Sequence, residues 1–302
     1  MRVRKALKAV VKGIKRWLDE EDESPVPEIP FDNRYDWLRA SFKKLIKDPL
    51  CSRRPAYVWG VLQGVALGKV LSLERVSVIE FGVAGGAGLL ALERLADRVE
   101  EMMGIAIEVY GFDTAIGLPK SQDYRDCPNI WLDGQFPMEE ELLARRLQRA
   151  CLKLGLVKDT VPAFLQAGPA PVAFVPFDLD LYSSTRDALR LFDAEHGRLL
   201  PRVLCYFDDI IGLTYSDYNG ERLAISEFNT AHAMRKLSPL YGLKYFAPHE
   251  QRDRAWPELF YFAHMFDHPL YKHPDEIHKP MFMDINGKVT GWQTNHILVS
   301  KT

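Results

Sequence analysis

The fold of this chain is decided by one stretch of sequence, Val76-Ser77-Val78-Ile79-Glu80-Phe81-Gly82-Val83-Ala84-Gly85-Gly86-Ala87-Gly88. Its first six residues are mostly apolar and β-branched, which predicts a short buried strand. The glycines that follow allow a tight turn and a close approach of the backbone to a ligand. The stretch therefore predicts a strand, a ligand-binding turn and a helix, although glycines can also close such a turn for packing alone.

Beyond this stretch, short apolar runs alternate with long amphipathic segments. The apolar runs are residues 76–81, 107–112, 172–177 and 203–207, and the segments between them include residues 89–103 and 139–154. Such alternation is typical of βαβ units and of a parallel sheet that is buried on both faces. Near the end, residues 243–246 and 259–263 look like two strands joined by a polar loop. We expect an α/β fold with a doubly wound, mostly parallel sheet and an antiparallel C-terminal edge strand.

The segment before the sheet has a different pattern. Residues 34–72 read as two helices, with Trp37, Leu38, Phe42 and Leu45 on one face, and the alternation of short apolar runs begins only near residue 76. We therefore divide the chain into an N-terminal helical extension, residues 1–72, and a sheet domain, residues 73–302.

The beginning of the extension, residues 3–18, has the pattern of a basic amphipathic helix. We expect its apolar stripe to pack on the sheet domain or on a second subunit; an interfacial position on anionic lipid and a disordered segment are the alternatives. The acidic residues 19–23 argue against lipid, because an anionic surface would repel them. We expect a homo-oligomer, a dimer, whose interface includes this helix and the helix Asp36–Leu45, and no membrane contact.

Composition excludes several other classes of protein. The formal net charge of −2 does not favour binding to nucleic acid, and no apolar run has the length of a membrane span. The four cysteines are scattered and form no Cys-x-x-Cys pair, so neither a disulfide framework nor a zinc site is expected. These features predict a protein of the reducing cytoplasm.

Two ligands compete for the glycine turn. Gly86-Ala87-Gly88-Leu89-Leu90-Ala91 matches the G-x-G-x-x-G/A fingerprint of dinucleotide-binding folds. In that fingerprint the first glycine follows the strand almost at once, whereas here Glu80 ends the strand and Gly86 comes well after it. The frame Glu80, Gly82, Gly86, Gly88 resembles instead the nucleotide loop of S-adenosylmethionine-dependent methyltransferases. In that loop the acid anchors the methionine amino end and the glycines admit the adenosine.

The second predicted strand ends in Gly111-Phe112-Asp113. A carboxylate at this position can accept hydrogen bonds from both ribose hydroxyls of a nucleotide, as acids do in related nucleotide-binding folds. The alternative for Asp113 is a turn cap. We predict the ribose role.

A second group of acids follows the fourth and fifth predicted strands, in Asp178-Leu179-Asp180 and in Asp208-Asp209. Because the carboxyl ends of adjacent parallel strands meet at one edge of a sheet, Asp180 should lie near Asp208 and Asp209. Three carboxylates repel one another unless a cation neutralises them, and ligation by oxygen alone suits Mg²⁺. We predict a metal site of these three residues. The alternative is that Asp178 serves loop hydrogen bonds and Asp209 caps a helix.

Together these motifs resemble the macrocin O-methyltransferase family of class I S-adenosylmethionine-dependent methyltransferases. The motifs that carry the resemblance lie within residues 76–230 and are Glu80-Phe81-Gly82-Val83, Gly111-Phe112-Asp113-Thr114-Ala115-Ile116-Gly117-Leu118-Pro119, Asp178-Leu179-Asp180-Leu181-Tyr182-Ser183-Ser184-Thr185 and Asp208-Asp209. The resemblance implies a Rossmann-like methyltransferase sheet, S-adenosylmethionine and Mg²⁺ as cofactors, and sugar hydroxyls of macrolide antibiotics as acceptors. By motif position, it assigns the metal to Asp180, Asp208 and Asp209, and the ribose to Asp113. Residues 120–137 match none of the family's acceptor loops.

We therefore expect a Mg²⁺-dependent O-methyltransferase whose small-molecule acceptor is a sugar or a glycosylated natural product. An NAD-dependent sugar-modifying oxidoreductase and a non-catalytic nucleotide-binding subunit are the alternatives, and the intact acidic set argues against both. The acceptor hydroxyl must lose its proton, to a carboxylate beside the metal or to a histidine. We select Asp180 and His264 as catalytic residues. The other histidines considered are His232, His249 and His268.

Overall fold

The computed structural model describes residues 36–212, 214–272, 282–283 and 289–290. The predicted basic helix at residues 3–18 lies outside the described residues. Within these residues no helix combines the length and the apolar character that a membrane span requires.

Seven strands form the main sheet. They are β1 Arg75–Phe81, β2 Ala106–Asp113, β3 Cys151–Leu154, β4 Val172–Phe177, β5 Leu199–Phe207, β6 Arg235–Pro239 and β7 Phe260–Met265. The spatial order is β3-β2-β1-β4-β5-β7-β6, in which β1 to β5 are parallel and β7 runs antiparallel to both of its neighbours. Strand order reverses between β1 and β4, so a crevice forms there at the carboxyl ends of the strands. A separate ladder pairs β8 Phe282–Met283 with β9 Val289–Thr290.

Helices cover both faces of this sheet. They are α1 Asp36–Leu45, α2 Pro55–Val70, α3 Ala87–Met103, α4 Glu140–Arg146, α5 Val157–Gln166, α6 Tyr182–Ala188, α7 Gly220–Ala231 and α8 Leu243–Phe246. Phe174 and Phe177 are three residues apart in β4 and therefore point to opposite faces. Phe174 contacts Tyr57 of α2, whereas Phe177 stacks on Phe207 and contacts Phe192 beyond α6. The predicted doubly wound α/β sheet is thus confirmed.

Helix α2 is apolar on all sides and is buried, as expected for a helix without a polar face. Its glycines allow a close approach to the sheet: a Cβ at Gly60 would lie 2.2 Å from the Phe174 ring, and one at Gly64 would lie 2.7 Å from the Ala173 carbonyl oxygen. This approach places the first turn of α2, with Arg54 and Tyr57, beside the carboxyl end of β1.

The apolar face of α1 is used inside this chain. Leu38, Phe42 and Leu45 are buried, and the Phe42 ring stacks on Trp256 with ring centroids 6.0 Å apart. The predicted interface role of α1 would therefore fall on its polar face. The dimer itself stays a prediction.

Two predicted elements were wrong. Residues 243–246 form α8 rather than a strand, after Gly242 takes a left-handed conformation with φ of +78°, and β6 is instead the partner of β7. Residues 139–154 do not form one helix but divide into α4 and β3. Glu93 explains the division, because its carboxylate accepts hydrogen bonds from the N–H groups of Gln148, Arg149 and Ala150 and so fixes a turn.

Candidate functional site

A cavity of about 650 Å³ opens at the carboxyl ends of β1, β2, β4 and β5. This is the edge at which open α/β sheets bind their ligands, and the volume suits a small molecule. Its wall consists of the glycine turn after β1, the long loop after β2, the start of α5 and the acidic turns after β4 and β5.

The four glycines of the turn divide into two pairs, and Gly85, which was not among the predicted ones, belongs to the first. Gly82 and Gly85 line the cavity, whereas Gly86 and Gly88 do not. A Cβ at Gly86 would lie 2.2 Å from the Leu143 side chain, and one at Gly88 would lie 1.8 Å from Glu80 Oε1. The predicted cofactor contacts of Gly86 and Gly88 are therefore corrected: both residues let the turn pack against its neighbours. They are also the first two glycines of the dinucleotide fingerprint, so the geometry does not favour that fingerprint.

We predict that Gly82→Ala destabilises the fold by about 2–4 kcal/mol. Gly82 has a φ of +83°, and a Cβ there would lie 1.7 Å from the Asp178 carbonyl oxygen. Chemical denaturation measures the loss. The control is Gly85→Ala, because a Cβ at Gly85 meets no atom within 4 Å. Equal stability of the two variants would contradict this account of the turn.

Glu80 presents an unpartnered acceptor at the cavity wall. The Tyr57 hydroxyl donates to its Oε1 at 2.7 Å, while Oε2 is buried without a hydrogen-bond partner. Burial, with a smaller contribution from the nearby Asp178, raises the pKa of Glu80 to about 8. A cationic donor in the cavity would satisfy Oε2, so the residue fits the predicted role of binding an ammonium group.

Asp113 lines the cavity at the end of β2 and also holds the glycine turn. Its Oδ2 accepts hydrogen bonds from the N–H groups of Val83 and Ala84, both at 2.9 Å, and its Oδ1 accepts one from Ala115 at 2.7 Å. The carboxylate thus performs the cap role that was the alternative. Because a carboxylate offers about four acceptor positions, room remains for one ligand hydroxyl rather than two.

Two of the three predicted metal ligands lie together. Asp180 and Asp209 form a group with Asp178 in which one oxygen of each lies within 4.8 Å of the others. Asp208 lines the cavity but lies outside this group, and its Oδ1 accepts a hydrogen bond from the Tyr206 hydroxyl at 2.6 Å. The predicted set of three acids is therefore corrected: the group contains Asp178 in place of Asp208.

This acidic group fits a divalent cation. Asp209 Oδ2 is buried without a partner, while its Oδ1 accepts a hydrogen bond from the Tyr215 hydroxyl at 2.9 Å. Burial and the neighbouring acids raise the pKa of Asp178 to about 7 and that of Asp180 to about 8. Asp180 also has a φ of +61°, a strained conformation of the kind that is often found at functional sites. Crowded carboxylates of this kind are the ligands that Mg²⁺ prefers.

Glu221 lies directly behind the acidic group and was not anticipated from the sequence. It is fully buried, its Oε2 accepts a hydrogen bond from the Asp209 N–H at 3.0 Å, and its Oε1 has no partner. Burial raises the pKa of Glu221 well above its ordinary value. This residue positions the Asp209 backbone at the end of β5.

The loop after β2, which resembled no acceptor loop, is tied to the acidic turn by Asp126. This buried carboxylate accepts hydrogen bonds from the N–H of Ser183, at 2.7 Å, and from the N–H of Gln122, at 2.8 Å. The same loop contributes Trp131 and Phe136 to the cavity wall. The sequence around Asp126 does not predict this contact, because Ser183 lies 57 residues further along the chain and only the fold brings the two together.

The predicted catalytic role of His264 is wrong. Because β7 is antiparallel to β5, His264 pairs with Arg202. Arg202 lies six residues before Asp208, so His264 is roughly 20 Å from the acidic turn, measured along β5. His264 instead contacts the Tyr271 hydroxyl at 2.8 Å. His232 and His268 contact Asp193 and the His196 carbonyl oxygen, respectively. In the described part of the chain, no histidine lines the cavity.

Neither a model of a known protein family nor a curated protein matches this chain. CalS11, a calicheamicin methyltransferase, is 23% identical, with 70% of this chain and 90% of that chain covered and a TM-score of 0.43. TomG from Streptomyces achromogenes, an O-methyltransferase involved in tomaymycin synthesis, is 12% identical, with 78% and 90% covered and a TM-score of 0.40. Such similarities assign no function to this chain, and the fold rests on the strand order itself.

Proposed function

We propose that this chain is an S-adenosylmethionine-dependent O-methyltransferase, assisted by Mg²⁺, that acts on a hydroxyl of a sugar or a glycosylated natural product. One observation carries the proposal. The cavity wall contains two buried carboxylate oxygens without a hydrogen-bond partner, Glu80 Oε2 and Asp209 Oδ2. The first suits an ammonium group beside a glycine turn, and the second suits a metal ion beside an acceptor.

The residues divide into two groups along the cavity. Glu80, Gly82, Gly85 and Asp113 would hold the cofactor, whose sulfonium supplies an electrophilic methyl group. Asp178, Asp180 and Asp209 would hold Mg²⁺, which when bound orients a hydroxyl and lowers its pKa. Asp180 is the residue that we propose as the proton acceptor, because its carboxylate lines the cavity beside the position at which the ion would orient the hydroxyl.

The acceptor that we propose is a sugar hydroxyl. The resemblance of the motifs to macrocin O-methyltransferases favours a sugar hydroxyl, and a pair of neighbouring hydroxyls could chelate one ion. Screening sugar, catechol and protein acceptors with labelled cofactor tests this point, and label found only in protein would contradict it.

We expect the purified protein to bind S-adenosylhomocysteine in isothermal titration calorimetry and not to bind NAD. Gly85→Leu should weaken this binding by about tenfold or more, because the new side chain enters open space at the cavity wall. The control is Gly197→Leu. A Cβ at Gly197 also meets no atom within 4 Å, but Gly197 does not line the cavity. Tight NAD binding without a response to S-adenosylhomocysteine would reject the proposed function.

A further inference from the structure

The guanidinium group of Arg54 faces the same cavity. Arg54 lines the wall at the first turn of α2 and is half-buried. Its guanidinium lies over the Tyr57 ring, 5.6 Å from the ring centroid. Within residues 36–212 and 214–272, no carboxylate forms an ion pair with Arg54, and no carbonyl accepts a hydrogen bond from its side chain. Five N–H donors in a rigid fork are therefore available to a ligand.

Arg54 and Glu80 are linked through one aromatic side chain. The Tyr57 ring supports the Arg54 guanidinium, and the Tyr57 hydroxyl donates to Glu80 Oε1 at 2.7 Å. This contact leaves Glu80 Oε2 as the unpartnered acceptor. The cavity wall thus presents a bidentate donor for an anion, over the Tyr57 ring, and a carboxylate for a cation, at the hydroxyl of the same residue.

We infer that Arg54 and Glu80 together bind an α-amino-acid zwitterion, with Arg54 on its carboxylate and Glu80 on its ammonium group. The inference rests on the proposed function, in which this zwitterion is the methionine end of S-adenosylmethionine. Arginine suits the role because its planar fork matches a carboxylate in a bidentate geometry. The alternative, that Arg54 only offsets the charge of Asp178 and Asp208, does not explain why neither acid pairs with it.

The test compares two ligands on three proteins. The ligands are S-adenosylhomocysteine and its decarboxylated analogue, which keeps the amine and lacks the carboxylate. The proteins are the wild type, Arg54→Met, and Arg53→Met, whose substituted arginine is an exposed neighbour that does not line the cavity. Calorimetry gives the six affinities.

We expect the wild type and Arg53→Met to bind S-adenosylhomocysteine about 10- to 100-fold more tightly than the analogue. Arg54→Met should lose this factor for S-adenosylhomocysteine and bind the analogue with unchanged affinity, which also shows that it is folded. Equal losses for both ligands, or no loss for either, would overturn the inference and leave the proposed function standing. A wild type that binds neither ligand would overturn both.

Discussion

Replacing Asp209 with asparagine is expected to abolish Mg²⁺-dependent methyl transfer while the fold survives. The substitution removes the negative charge of a buried carboxylate whose Oδ2 has no protein partner. Asparagine keeps an oxygen that can accept the Tyr215 hydrogen bond, and the Asp209 N–H still reaches Glu221. Because a bound cation contributes several kcal/mol to such a reaction, we expect a loss of about a thousandfold or more in kcat.

Stability should change in the opposite direction to activity. Asp209 shares its site with Asp178 and Asp180, and removing one charge relieves repulsion among them. In EDTA, Asp209→Asn should therefore melt at the same temperature as the wild type or higher. Added Mg²⁺ should raise the melting temperature of the wild type and not that of the variant.

One control and two further variants sharpen this experiment. Asp217→Asn removes an exposed carboxylate that pairs with Arg222 and should leave the response to Mg²⁺ unchanged. Asp178→Asn and Asp208→Asn distinguish the observed acidic group from the one predicted by sequence, and we expect the larger loss of Mg²⁺ binding from Asp178→Asn. Full wild-type turnover in excess EDTA would show that these acids have another role.

The sheet could be predicted because its strands are buried on both faces. A strand of that kind leaves a continuous apolar run, and β4 coincides with the predicted residues 172–177. The helix α8 could not be predicted in the same way. Its four residues are too few to show a period, and Gly242, which begins it in a left-handed conformation, also suits a hairpin turn.

The part of the site that lies at strand ends could be predicted from the sequence. The position of an acid after a strand predicts which edge of the sheet it occupies, so Glu80, Asp113, Asp180 and Asp209 all line the cavity. Whether Asp178 or Asp208 joins the acidic group depends on the local turn, where Asp180 takes a positive φ and Tyr206 holds Asp208. The alternation of apolar runs and amphipathic segments along the chain contains no information on the conformation of such a turn.

Side chains that come from other layers of the fold were missed. Arg54 lines the cavity from the start of α2, a helix whose glycines allow a close approach to the sheet, so no strand end marks this residue in the sequence. His264 was misplaced because its position near a strand end was not combined with the expected antiparallel direction of that strand. The last residues of an antiparallel strand lie at the edge of the sheet opposite the cavity.

Glu80→Gln is expected to weaken S-adenosylhomocysteine binding by about 10- to 100-fold, because a neutral amide replaces the carboxylate that would face the ligand ammonium. Glutamine retains an oxygen that can accept the Tyr57 hydrogen bond, so the wall should keep its shape. The control is Glu93→Gln, a second buried glutamate that does not line the cavity. Unchanged affinity in Glu80→Gln would show that the acid serves the fold rather than the ligand.

The dependence on pH separates this role from a structural one. Burial raises the pKa of Glu80 from 4.5 to about 8, so the native state of the empty protein holds this proton more tightly than the unfolded chain does. The group therefore costs stability progressively as pH rises through this window, and Glu80→Gln should melt at a higher temperature than the wild type near pH 8. Binding of an ammonium group requires the ionised form, so wild-type affinity for S-adenosylhomocysteine should rise with pH up to about 8 with release of a proton. Calorimetry in two buffers of different ionisation enthalpy counts that proton, and Glu80→Gln should release none.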